Sequence, residues 1–493
     1  MELGIFLLNY LENSQSKSMI FCRGNFLMKK QNKKDIRICI IGGGPAGMSA
    51  AMYLEKNGYE NYVVYERDNR VGGKCLSPMM KVIDANGKEV ERSFEMGAVM
   101  GCDTYYAVHE CEVFGETTHE TGPKMGRVFK NVDGTDMKSS KLALLKKVMK
   151  MRKLGKLLAK KYKGYDLNGH RGVSKGEYDG LQPDQPSIEN AGLKYVKGKN
   201  PNLKDLSMTF KDFLKLNHCE DAELVWKGPF TSFGYGYFDE IPAAYVVKYL
   251  DYFTVRQFLK TGKLWTWYDG TESIWRGVNN HLKHPALLNS EVTKVERKDG
   301  KVFVTVNKKV EEFDKLIICT PLELFAKYGD PTKEEKELFS KIVHKEYFTM
   351  AVDVEPTPEI SYYYFDNMTP ETVGHLMVFY HRWDNSDIKE QPVVTFTLRN
   401  HLGSEDVPFE KARDTTLEDL GISGLKVAGT RRIDDWYYFP HVNSKDYADG
   451  WYEKVEALQG KNNTYFAGEV MAFGDMEETC EYSKDLVRRF FND

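Results

Sequence analysis

The chain has little of what would place it in several large classes of protein. Its eight cysteines, at 22, 39, 75, 102, 111, 219, 319 and 480 of 493 residues, include no C-x-x-C pair. That excludes a disulfide framework, and a reducing, cytoplasmic setting is the default expectation. Cys39 and Cys319 lie in apolar runs and read as small core residues. No stretch reaches the roughly 18 apolar residues that span a bilayer. A net charge of −3 predicts no global attraction to nucleic acid, and no zinc-finger, RNP-like or basic-zipper pattern is present. No catalytic triad stands out. What is there, 41% hydrophobic and 13% aromatic residues, suits a globular enzyme of two or three structural units.

The first 35 residues are unlike the rest. Gly4-Ile5-Phe6-Leu7-Leu8 is too short for a secretory signal, and no small-residue cleavage site follows. Lys29, Lys30, Lys33 and Lys34 then lead into the first strand. A mobile extension is expected; a targeting segment, or a start at Met28, is the alternative.

The organising stretch is Gly42-Gly43-Gly44-Pro45-Ala46-Gly47. The apolar run from Ile36 to Ile41 predicts a buried strand before it, and Met48 to Asn57 a helix after it. Gly58 stands where a helix C-cap favours glycine. A second strand, Tyr62 to Tyr65, ends on Glu66. Together these make a βαβ dinucleotide fingerprint. Gly42 allows the tight turn, Gly44 lets backbone approach a pyrophosphate, and Gly47 lets helix and strand pack closely. The helix N-terminus offers N–H groups to the anion. Glu66 can accept from ribose hydroxyls, and its charge argues against a 2′-phosphate. Arg70-Val71-Gly72-Gly73-Lys74 resembles the R-x-G-G-[RK] segment of FAD-binding proteins, which points to FAD rather than NAD.

Further along, Tyr105 to Phe114 predicts a helix, and Asp133-Gly134 a hairpin-type turn close after Arg127. From Lys138 to Lys163 eleven positions are Lys or Arg and none is acidic. Leu142, Leu145, Met149 and Leu157-Leu158 give this run an apolar face. It reads as a lid helix or as a peripheral membrane contact. Residues 168–206 read as a long loop. Phe210 to Trp226 and Ala243 to Phe258 predict helices. Between them lie the aromatics of Pro229 to Phe238, which suit an apolar tunnel or an ordinary core equally. Glu291 to Val295 and Lys301 to Val306 form a hairpin around Asp299-Gly300. Asp314 to Pro321 is a buried strand. Residues 341–442 suggest an antiparallel sheet, and Asn463 to Glu469 a strand ending in a glycine turn. The final helix runs from about Glu477 to Phe490, with acids first and Arg488-Arg489 last, as its dipole prefers.

With Phe94-Glu95-Met96-Gly97-Ala98, these segments resemble the FAD-dependent amine oxidase superfamily. Phe233 to Asp239, Leu264 to Trp267, Trp436 to Val442 and Gly450 to Glu456 are similar to its polyenoic (linoleic) fatty acid isomerases. The resemblance covers Ile36 to Phe491, interrupted at 168–206. It implies an α/β fold with a discontinuous Rossmann-type FAD-binding domain (36–120, 262–340 and 461–493). It also implies a helical lid (121–261) and an inserted antiparallel-sheet substrate domain (341–460). FAD would be held by Gly42, Gly44, Ala46, Gly47, Glu66, Arg67, Gly73 and Lys74. Met96, Gly97, Val292, Gly468, Glu469 and Met476 would complete its site.

The implied activity is isomerisation of a non-conjugated polyunsaturated fatty acid to a conjugated one, by hydride abstraction to flavin N5 and return to another carbon. No protein acid or base and no metal is required. Arg127 and Phe258 match the positions that hold the substrate carboxylate, with Trp267 as a further contact. The alternatives are an amine oxidase, with Lys345 as the nearest candidate for its lysine, and a carotenoid-desaturase-like oxidoreductase.

Overall fold

The computed structural model describes residues 32–121, 127–138, 141–162, 202–249, 263–382 and 387–491. Residues 1–31 of the expected extension, 168–201 of the expected loop and Phe258 lie outside them, while the end of that loop is a short helix, Leu203–Leu206. Lys33–Asp493 forms one compact unit.

At its base is a four-stranded parallel sheet. Strands β1 (Ile38–Ile41), β2 (Tyr62–Tyr65), β3 (Lys315–Ile318) and β4 (Thr464–Phe466) lie in the order β4-β3-β1-β2. Their apolar runs are buried nearly without interruption, as a sheet covered on both faces requires. Helix α1 (Pro45–Lys56) leaves the glycine turn, α2 (Tyr106–Gly115) packs beside it, and α3 (Met476–Phe490) runs along it. Ser483 Oγ donates to the Ala46 carbonyl at 3.1 Å and the Asn57 amide to that of Phe491 at 3.2 Å. The predicted hairpin forms as Val292–Lys298 and Lys301–Val306, and Lys309–Phe313 adds a third strand that the sequence reading lacked.

The second large element is a six-stranded sheet built around two long antiparallel partners, Ile342–Glu355 and Lys426–Val442. Its far edge is Arg127–Lys130, which pairs in parallel with Ser361–Tyr364. The strand Arg127–Lys130 of the expected lid is therefore part of this sheet, where Phe129 packs on Tyr363 and stacks on Phe365. The turn at Asp133-Gly134 forms as predicted, with Lys130 bridging Asp136.

The basic run forms a helix over Lys141–Lys160, and its apolar face is the expected one only in part: Leu157 packs against the core. Leu145 and Met149 are exposed, whereas Met151 and Leu154 are buried against the body. Residues 151 and 154 are neighbours three apart on the helix, and 149 to 151 is most of a half-turn away. Lys150 donates to the His218 carbonyl at 2.8 Å on that packed side. Among the described residues no helix is long and apolar enough to cross a membrane.

Candidate functional site

The glycine turn has the geometry its sequence requires. Gly42 has φ +104, and a Cβ on Gly47 would lie 1.8 Å from the Gly42 carbonyl oxygen. Gly44 is the N-cap of α1 and carries no capping side chain, while Pro45 has no N–H. The first turn of α1 therefore keeps its donors for an anion. The second loop closes against the first: a Cβ on Gly73 would stand 3.1 Å from Gly44 Cα, so bare backbone faces bare backbone. Arg70 wraps that loop from behind, donating to the Val71, Gly73 and Cys75 carbonyls.

Glu66 is buried and holds the turn itself. Its Oε2 accepts from Gly43 N–H at 2.6 Å and its Oε1 from Asp68 N–H at 2.9 Å. Each oxygen keeps a second lone pair, enough for a ribose hydroxyl. Ser290 N–H donates to the Glu66 carbonyl at 2.8 Å, which ties the segment leading to Val292 to Glu66. Arg67 is an exposed side chain at the rim, 3.4 Å from Asp68.

The other end is built from three distant segments. Gly97 admits no side chain, since its Cβ would lie 1.8 Å from the Lys74 carbonyl oxygen. The Met96 carbonyl accepts from the Trp436 indole and from the Thr349 hydroxyl, both at 2.9 Å, so this segment is fixed to the six-stranded sheet. Glu95 beside it is fully buried and accepts from Ser77 Oγ at 2.6 Å and Thr271 N–H at 2.9 Å. Burial pushes its carboxyl up to about 7, against the opposing pull of Arg382 and those hydrogen bonds. Gly468, at φ +97, turns the chain out of β4 so that Glu469 meets Lys74 at 2.7 Å. Met476 opens α3, whose N-cap Asp475 accepts from Glu478 N–H at 2.7 Å. Glu477 then accepts from the N–H groups of Ala107 and Val108, tying α3 to the start of α2.

Next to Lys74 stands an aromatic cluster. Lys74 Nζ lies 5.3 Å from the Tyr438 ring centre, and Tyr438 meets Tyr235 at 5.5 Å and Tyr347 at 4.9 Å. Phe473 packs on Tyr235 at 4.8 Å, on Tyr249 at 5.0 Å and on Phe439 at 5.3 Å. Tyr438 and Phe439 stand in the segment Trp436 to Val442, marked in the sequence only by its resemblance, and Phe473 reaches them from a separate segment before α3.

Of the residues assigned to substrate, Arg127 is exposed at the sheet edge, 5.6 Å from the Phe129 ring. Trp267 is buried and its indole N–H donates to Glu112 at 2.6 Å. Lys345 is buried and paired with Glu240, whose carboxylate also receives the N–H groups of Tyr237 and Leu402. Burial lowers the Lys345 pKa, which the Glu240 charge opposes.

Two glycine loops packed backbone against backbone, an uncapped helix N-terminus and a buried acid after the second strand fit a dinucleotide-binding protein. The family assignment follows: residues 45–391 match the model of the flavin-containing amine oxidoreductases, and the chain belongs to that family. It is similar to the CLA-producing fatty acid isomerase from P. acnes, with 43% identity, a TM-score of 0.81, and coverage of 93% of this chain and 99% of that one. The FAD-dependent oxidoreductase oblC of Cochliobolus heterostrophus is 28% identical over 312 residues; the match takes in 58% of this chain and 63% of the oxidoreductase. Putrescine oxidase shares 14% identity over 93% of this chain and 99% of its own, at a TM-score of 0.64, and shows the fold alone.

Proposed function

We propose that the protein is an FAD-dependent isomerase that converts a non-conjugated polyunsaturated fatty acid into a conjugated one. The observation that carries this reading is the 43% identity to the P. acnes isomerase over 93% of the chain. FAD, when bound, would supply a group that takes a hydride from one carbon of the lipid and gives it to another.

The residues present suit that cofactor. The α1 N-terminus and the two glycine loops would take the pyrophosphate, and Glu66 the ribose. Lys74, Glu469, Met96 and Gly97 would line the inner end, and the start of α3 lies nearby. Arg67 and Val292 are assigned to the outer end. The Rossmann-type domain would be assembled from 36–120, 262–340 and 461–493, and the six-stranded sheet would form the substrate side.

That sheet offers a direction for the acyl chain. Phe129, Tyr363, Val378, Phe396 and Thr349 are in register across five neighbouring strands. They form one row on one face, and Thr349 at its end binds the Met96 carbonyl. The row spans about 19 Å at the usual strand spacing. Arg127 lies two residues before Phe129, on the same face at the row's outer end. A carboxylate paired with Arg127 would leave an acyl chain lying across the row toward Met96 and Gly97. The planar guanidinium suits this pairing, and the apolar row excludes water from the chain. Phe258 and Trp267 are assigned to the same substrate.

The test is anaerobic. Linoleic acid is added to the yellow protein without oxygen, and the conjugated-diene and flavin bands are followed together. The diene band should grow while the flavin stays oxidised at steady state. Flavin bleaching without conjugated product, reversed by oxygen with peroxide release, would identify an oxidase instead.

We also propose that Leu145 and Met149, exposed among the lysines of the basic helix, touch an anionic lipid surface. Co-sedimentation should require anionic vesicles; equal binding to neutral ones would refute it.

A further inference from the structure

Away from the glycine loops, three side chains converge for which the flavin chemistry has no use. His109 and Glu112 stand three residues apart on one face of α2. Just beyond that helix Glu116 adopts φ 52, which turns the chain back and returns His119 to the same place. His109 Nδ1 lies 2.9 Å from Glu112 Oε2. His119 Nδ1 lies 2.9 Å from that same oxygen and 3.1 Å from Oε1. One ligand atom from each residue falls within 4.8 Å of the other two.

The surroundings fix this arrangement. The Trp267 indole N–H holds Glu112 Oε1 at 2.6 Å, and Oε2 is the oxygen that both imidazoles share. The His119 ring is stacked on Trp265 at 3.6 Å and 7°. Both tryptophans come from the strand Trp265–Thr266 and its continuation. That strand pairs with Glu120–Thr121, immediately after His119. Glu112 is buried, whereas each imidazole keeps a little under a fifth of its surface exposed.

We propose that His109, Glu112 and His119 bind one divalent cation of the zinc class. Two imidazole nitrogens and one carboxylate oxygen are ligands for such an ion, and hard cations such as Mg²⁺ prefer all-oxygen sites. Zinc–ligand distances of about 2.0–2.1 Å in a tetrahedron set ligand atoms about 3.4 Å apart. The 2.9 Å contacts need to open by only about half an ångström, within the reach of small side-chain rotations. In the metal-free form two ring N–H groups point at one oxygen. The cation instead takes a lone pair from each ring, whose proton moves to Nε2. Trp267 supplies the outer hydrogen bond that orients a ligating carboxylate. The fourth position opens to solvent between the partly exposed rings and takes water. The ion's role is structural. It joins α2 to the paired strands at which the chain leaves for residues 122–262 and returns from them.

The test uses the flavin-loaded, tag-free protein, stripped with chelator and re-equilibrated with Zn²⁺ alone. Zinc per chain is read by mass spectrometry and the thermal midpoint in parallel. The expected result is one zinc per chain, a raised midpoint and no competition from Mg²⁺. His109→Gln and His119→Gln should each weaken zinc binding at least about tenfold with flavin content unchanged. Wild-type protein without stoichiometric zinc, or variants that bind it as well as wild type, would overturn the proposal. Should a variant fail to fold, labelling of wild type with diethyl pyrocarbonate decides. Zinc should protect both imidazoles, and undiminished labelling refutes the site.

Discussion

Lys74 and Glu469, 395 positions apart in the chain, meet at 2.7 Å between the second glycine loop and the end of β4. The contact joins the second glycine loop to the turn after β4, beside the loops assigned to the cofactor. Both side chains are about a quarter exposed, so the pair is screened but not dissolved by solvent. Removing either charge should loosen both the loop and the cofactor. Lys74→Met or Glu469→Gln is expected to weaken FAD binding about tenfold, on the scale of one charge-assisted hydrogen bond. Flavin fluorescence during titration of the deflavinated protein measures this.

Arg127 is exposed, and its only ring contact among the described residues is with Phe129. As a carboxylate anchor it should act on substrate and not on cofactor. Arg127→Ala is expected to raise KM for linoleic acid roughly 10- to 100-fold, the scale of a lost charged hydrogen bond, with flavin content unchanged. The product ratio should broaden, because the double bonds would no longer be held at a fixed distance from the anchor. Unchanged KM and product pattern would return Arg127 to the surface.

Glu95 gives a pH dependence. Its folded-state carboxyl is raised from 4.5 to about 7. Below pH 4.5 it is protonated in both states and costs nothing. Between pH 4.5 and 7 the folded state binds the extra proton, so stability falls as pH rises, by about 1.4 kcal/mol per unit. Above pH 7 the loss is complete. Glu95→Gln, which stays neutral, should therefore become progressively more stable relative to wild type between pH 5 and pH 8. Urea midpoints at a series of pH values measure the difference; a constant offset would contradict the raised pKa.

Lys345 and Glu240 are a buried ion pair linking the aromatic glycine-rich segment to the long strand Ile342–Glu355. A Cβ on Gly236 would lie 2.8 Å from Lys345 Cε, so the loop is moulded on this side chain. Glu240→Gln would strand a buried ammonium. It is expected to cost about 3–5 kcal/mol, whereas Lys345→Met with Glu240→Gln should recover much of that loss. Thermal midpoints of the single and double variants give the comparison.

The nucleotide-binding core was legible because its requirements are local. A turn that must reach φ +104 at Gly42, and a helix that must touch the turn's carbonyl at Gly47, leave glycine at fixed spacing in the sequence. Buried parallel strands leave apolar runs, and Glu66 follows its strand directly. The terminal helix was equally plain from its charge order. The face of the basic helix was legible only in part, at Leu157, because its apolar residues repeat on more than one face and only contact with the body selects Met151 and Leu154 over Leu145 and Met149.

Other features were written nowhere in local pattern. Arg127–Lys130 joined the six-stranded sheet rather than the lid, since any short alternating strand can pair with whichever edge the fold presents. Tyr438, Phe473 and Lys74 are brought together by three separate chain crossings. His109 and Glu112 share a helix face, but His119 reaches them only through a left-handed residue at Glu116 and stacking on Trp265. The sequence by itself determined the glycine turn and the acid that holds it, because backbone geometry constrains residues that are neighbours in the chain. The tertiary structure alone decided the row from Phe129 to Thr349 and the histidine cluster, because those depend on which distant side chains the packed sheets bring into register.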